Sequence, residues 1–258
     1  MNKTLGAVFT ICAALCAGHA MAQSATLHVY GAGGPAPAMK EAAQAFEKQT
    51  GVHVEVTAGP TAGWIDHARA DADLVYSGSE TMMSDFVVAM GDQLTPDAPV
   101  PLYLRPMAML VRKGNPRHIG GLGDALKPGV RVLVVNGAGQ NGVWEDVAGR
   151  LGDIGTVKAL RANIVSYAPN TAVARQTWID HPDIDVWLVW NIWRTSNPSL
   201  ADLVAIEPRY VIYRDAGVAI TRRGADVAAS SQFVAFLQSP QGAKIFGRWG
   251  WLAGQPAQ

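Results

Sequence analysis

Twice in this chain a short β-rich run ends in a glycine-spaced loop that opens a helix. The first copy is residues 26–30 (TLHVY) followed by Gly31-x-Gly33-x-x-Ala36. The second is residues 130–135 followed by Gly137-x-Gly139-x-x-Gly142. After the first loop Met39, Ala42, Ala43 and Phe46 recur at i, i+3, i+4 and i+7, one face of a helix. Gly51 then supplies a left-handed stop. Residues 52–56 and 73–76 read as further strands, the second leading into a helix through Phe86 and Met90. A proline-rich stretch (Pro96, Pro99, Pro101, Pro106) precedes a strand at 107–111, and the pattern restarts. The second loop leads into a helix carrying Val143, Val147 and Leu151, and strands follow at 164–167 and 186–190. Alternation of strand, loop and helix predicts an α/β fold of two lobes. Each lobe is a doubly wound, mostly parallel sheet with flanking helices. The chain crosses out near Leu104 and returns near Tyr213, which makes two crossover strands. Lobe 1 is then 23–105 plus 214–258, and lobe 2 is 106–213. Residues 211–221 and a helix at 231–237 close the chain.

The glycine spacing matches a dinucleotide loop, which also needs an acidic residue at the end of the next strand. The first copy offers only Glu55, inside an alternating strand, and the second offers Ser166 or Tyr167. A nicotinamide cofactor is therefore not expected, nor any other. The physics of the loops remains. Glycine admits close backbone approach, and a helix N-terminus presents free N–H groups and partial positive charge, which together cradle an anion. A tight turn without ligand is the plain alternative for either loop alone; two such loops facing each other favour a ligand. In open parallel sheets ligands sit outside the carboxyl ends of the strands. The expected ligand-binding residues follow from that rule. From the two loops they are Gly33, Gly34 and Pro35, and Gly139, Gln140, Asn141 and Gly142. From other strand ends they are Thr61, Trp64, Ser77, Ser79, Glu80, Asn170, Thr171, Arg175 and Trp190, with Tyr213 at the return crossing.

Other chemistries lack their residues. Lys and Arg number 21 against 21 Asp and Glu, so there is no electrostatic footprint for nucleic acid. The histidines form no i,i+4 pair and no His-Glu-x-x-His, so no metal site is expected. There is no Gly-x-Ser-x-Gly elbow, no phosphate-binding Gly-Lys-Ser/Thr loop and no evident nucleophile–base pair. No catalytic residue is expected. At the N-terminus Lys3, an apolar stretch over 5–15 and Ala20-x-Ala22 make a secretory signal peptide of residues 1–22, cleaved after Ala22. Both cysteines, Cys12 and Cys16, fall inside it, so the mature chain has no thiol chemistry. The periplasm is the expected location.

Residues 233–246 (FVAFLQSPQGAKIF), followed by Gly250–Trp251, resemble the C-terminal end of bacterial extracellular solute-binding proteins of the molybdate/sulfate type. Residues 29–35 (VYGAGGP), 101–105 (PLYLR), 111–116 (VRKGNP), 142–150 (GVWEDVAGR) and 211–215 (VIYRD) are similar, more narrowly, to the accessory colonization factor AcfC group. The resemblance spans essentially the whole mature chain. It implies a two-lobed periplasmic-binding-protein fold of type II without enzymatic activity. The cleft would take a small oxyanion or a phosphorylated or carboxylated anion. The expected partners are that anion and an inner-membrane ABC permease, or a colonization-associated receptor; a homodimer stays open. Two other readings stand beside it: a surface or adhesion protein that keeps the fold without transport, and a periplasmic α/β hydrolase.

Overall fold

A computed structural model describes residues 26–253; the expected signal peptide lies outside the described residues. The strands are β1 (Leu27–Gly31), β2 (Val54–Ala58), β3 (Leu74–Tyr76), β4 (Pro99–Val111), β5 (Val132–Val135), β6 (Ile164–Ala168), β7 (Val186–Trp190), β8 (Asp202–Ala205) and β9 (Tyr213–Ile220). The helices are α1 (Ala36–Thr50), α2 (Ile65–Asp71), α3 (Glu80–Met90), α4 (Leu122–Ala125), α5 (Val143–Ala148), α6 (Ile154–Asn163), α7 (Thr171–Asp180), α8 (Ile192–Ser196), α9 (Arg222–Ala225), α10 (Ala228–Gln238) and α11 (Pro240–Arg248). None of them is long and apolar enough to cross a membrane.

The strand order is β2-β1-β3-β9-β4-β7-β5-β6, with β8 also on β4. β1 runs parallel to β2 and β3, and β5 runs parallel to β6 and β7. Between these two parallel triplets lies the long strand β4. Over Pro99–Pro106 it pairs antiparallel with β9; over Met107–Val111 it pairs antiparallel with β7, and over Ala108–Val111 with β8. One strand thus belongs to both units and changes partners around Arg105–Met107.

The proline-rich stretch is therefore strand from Pro99 onward, not a connection. Proline is tolerated there because over this length β4 has a strand, β9, along one side, while its other side is bridged at Leu104 to Leu252 and carries no continuous ladder. Period-two alternation splits the strands between separate cores. In β7 every residue is buried: Val186, Leu188 and Trp190 join the largest core, while Trp187 and Val189 face a second one with Trp178 and Leu110. The first glycine of each loop has the same structural cause. A Cβ on Gly31 would lie 2.3 Å from the Tyr76 carbonyl oxygen at the end of β3. A Cβ on Gly137 would lie 2.3 Å from that of Pro169, just past β6. Only glycine lets the two chains approach so closely.

Candidate functional site

The parallel strands of both units end around one cavity of about 130 Å³. Ala32–Pro35 after β1, Gly59–Thr61 after β2 and Gly78–Ser79 after β3 form one wall. Ala138, Gln140, Asn170–Ala172, Trp190 and Trp193 form the other, and Arg105 of β4 lies between. Three helices begin here. Pro35 is the N-cap of α1, Ser79 that of α3 and Asn170 that of α7, and all three residues line the cavity. Ser79 Oγ accepts from the Met82 amide at 3.2 Å, and Asn170 Oδ1 from the Val173 amide at 2.9 Å. Their helices run for 15, 11 and 10 residues, long enough for the terminal partial charges to matter.

Arg105 carries the full charge. It is 5% exposed, and its Nη2 donates to the Gly78 carbonyl. The guanidinium carbon lies 4.8 Å from the centroid of the Trp190 ring and 4.8 Å from that of Trp251. Nε is buried without a hydrogen-bond partner. Among the described residues no carboxylate lies within ion-pair distance of it. Burial pulls its pKa down and the field of Asp215 opposes that shift; the net value is about 9, so the group is a cation at neutral pH. Its space comes from two glycines: a Cβ on Gly34 would lie 2.8 Å from Nη1, and one on Gly78 would lie 2.9 Å from Nη2.

Of the residues expected from sequence, Gly33, Gly34, Pro35, Thr61, Ser79, Gln140, Asn170, Thr171 and Trp190 line this cavity. Gln140 donates to Thr171 Oγ1 at 3.0 Å, which ties the second glycine loop to the start of α7. The other expected residues do not line it. Trp64 is a core residue, edge-on to Phe86 and donating to the Gly59 carbonyl. Ser77 is fully buried beneath the wall. Gly139 packs against Met82, and its carbonyl accepts from Ser79 Oγ at 3.3 Å, so it joins the two walls. Asn141 is exposed, and Gly142 caps α5. Arg175 is exposed and donates to Asn197, and Tyr213 is exposed at the start of β9. Glu80 is exposed as a residue, yet its carboxyl meets that of the buried Asp215. Partial burial, the Asp215 charge and their hydrogen bond raise its pKa above the ordinary glutamate range.

Sequence reasoning missed Arg105 as a ligand group. The signal lay in the alternation Tyr103, Arg105, Met107, which sets a cation on a strand face whose neighbours are buried. Gly78 and Met82 were also missed; each stands one or two residues from one that was named. Among the described residues no group of three or more His, Cys, Asp or Glu is placed to hold a metal ion.

A family model described as bacterial extracellular solute-binding protein matches residues 27–252. The chain belongs to that family. These solute-binding proteins are not enzymes. Among solved structures, PEB3 with bound L-phospholactate is 36% identical with a TM-score of 0.83, covering 88% of this chain and 100% of that one. A further structure, Peb3 from Campylobacter jejuni, is 35% identical with a TM-score of 0.82, again covering 88% and 100%. The periplasmic molybdate-binding protein of Azotobacter vinelandii is 16% identical with a TM-score of 0.66, covering 89% and 100%, and shares the fold. Among curated proteins none matches the chain. The fold is thus the mixed α/β periplasmic-binding-protein fold that the family resemblance implies, and its α/β class is the one expected from the strand–loop–helix alternation.

Proposed function

We propose that this solute-binding protein captures a small phosphorylated or carboxylated anion in the cavity at Arg105. The observation that carries this reading is a buried cation without a carboxylate partner, surrounded by the starts of three helices. Such a site is electropositive whatever its walls are made of, and an anion is the ligand that satisfies it. The remaining wall is rich in apolar groups, with Pro35, Pro60, Met82, Trp190 and Trp193, which suits a ligand with a carbon skeleton. A volume of about 130 Å³ is well below the roughly 300–1,000 Å³ of sites for drug-sized ligands, so the anion is compact. PEB3, crystallised with L-phospholactate, supports the same class.

The lobes in this reading are 23–105 with 214–258, and 106–213, closing on the ligand about β4 and β9. The ligand bridges both walls and favours the closed form. The protein works in the periplasm, belongs with the accessory colonization factor group, and hands its closed form to an inner-membrane ABC permease. Thermal melting with L-phospholactate, phosphoglycerate, citrate, phosphate, sulfate and molybdate tests it. A compact organic anion at about 100 times its dissociation constant adds roughly 2.7 kcal/mol. No shift with any of them would remove the anion reading and leave a surface protein of the same fold.

A further inference from the structure

We propose that Trp251, which does not line the cavity, positions Arg105 for anion capture through the face of its indole ring. The inference rests on the reading of Arg105 as the ligand's cation. A buried guanidinium needs compensation for its lost hydration, and the usual compensation is a carboxylate. A carboxylate here would compete with the incoming anion for the same N–H groups. An aromatic face attracts the cation through its quadrupole and occupies no such donor. Arg105 has two such faces, Trp190 and Trp251, each 4.8 Å from Cζ, and a single carbonyl acceptor.

Strand register fixes both rings. Trp190 is the β7 residue paired with Met107, two positions beyond Arg105. Leu252 bridges Leu104, one position before it: the Leu104 amide donates to the Leu252 carbonyl at 3.0 Å, and the Leu252 amide to the Leu104 carbonyl at 2.7 Å. Asn191 Nδ2 donates to the Gly250 carbonyl at 2.8 Å, and Gly250 turns the chain at φ 89°. Trp251 is 2% exposed and also meets Phe246 edge-on. The segment after α11 thus brings an indole ring to the strand that carries the cation, and holds it there before any ligand arrives.

The test uses the full chain with Trp251→Phe and Trp251→Leu, and Trp251→Met where the leucine variant does not fold. Two readouts are taken: affinity for L-phospholactate and for sulfate, and the Arg105 Nε–H resonance, assigned by its loss in Arg105→Lys. Ring currents displace that resonance in the wild type. Trp251→Leu is expected to move it toward its random-coil position and to weaken anion binding about tenfold, while Trp251→Phe retains most of both. Wild-type affinity in Trp251→Leu, or an equal loss in the phenylalanine and leucine variants, would overturn the proposal. So would an Arg105 signal that does not move. If neither anion binds the wild type, the functional reading fails and the capture role of Trp251 fails with it. The resonance still shows in that case whether Trp251 sets the guanidinium.

Discussion

Arg105 is a charge buried in exchange for binding. Taking a guanidinium out of water costs several kcal/mol, and ion pairing does not offset it here. The compensation is one carbonyl, two indole faces and the field of Asp215, in the space left by Gly34 and Gly78. That accounting separates stability from function at a single residue. Arg105→Met keeps most of the volume between Trp190 and Trp251 and removes the charge. Replacing a buried ion with an apolar group of similar size is often neutral or stabilising. The variant is therefore expected to melt at or above the wild-type temperature. Its anion affinity should fall about 10- to 100-fold, since a charge-assisted hydrogen bond is worth roughly 1.5–3 kcal/mol. Calorimetric titration beside thermal melting checks both halves. A variant that binds normally would remove Arg105 from the site.

At the scale of elements the two glycine loops read alike in sequence and differ in the structure. Their first glycines do the same work, each passing close to the carbonyl of a neighbouring strand end. Beyond that point they part. The first loop gives Ala32–Pro35 to the cavity and opens a helix of 15 residues, while the second gives Ala138 and Gln140 and opens one of six. The β–loop–α alternation and most strand ends were legible because period and punctuation are local. What a loop faces is set by tertiary packing, which spacing does not encode. Gly139 faces Met82 and Ser79, and Asn141 faces solvent. The strand in the proline-rich stretch was illegible because an edge position forgives proline, and edge position is a property of the sheet. Substitutions should respect this asymmetry. A side chain at Gly33 meets nothing nearer than the Gly59 Cα at 4.0 Å, so Gly33→Val should fold and obstruct the cavity. It should lose at least about tenfold in affinity, and Asn141→Ala should bind within about twofold of wild type. Equal binding by both variants would detach the first loop from the site.

At the scale of the whole molecule, the two walls of the cavity touch in the described arrangement. Ser79 of one wall hydrogen-bonds to Gly139 of the other, and Arg214 of β9 pairs with Asp146 of α5 at 2.6 Å. The parallel strands of the two units are joined through β4 and β9, so the closing motion proposed above would be borne by the residues around Arg105–Met107 and Tyr213. The ion pair is partly exposed at both ends, with side-chain exposures of 32% and 49%. Exposed pairs contribute about 0.2–1 kcal/mol, enough to bias an open–closed equilibrium by up to about fivefold, and not enough to lock it. Asp146→Asn should therefore raise the ligand-free radius of gyration in small-angle scattering, while a bound anion returns the variant to the compact form. Salt supplies the control. In about 1 M salt the Debye length falls to about 3 Å, which screens the pair. The ligand-free wild type should then expand toward the variant, and the variant itself should not change. Expansion of both by the same amount would place the salt-sensitive contact elsewhere. An unchanged radius in Asp146→Asn would show that the buried contacts at Ser79 and Gly139 hold the walls together without help from the ion pair.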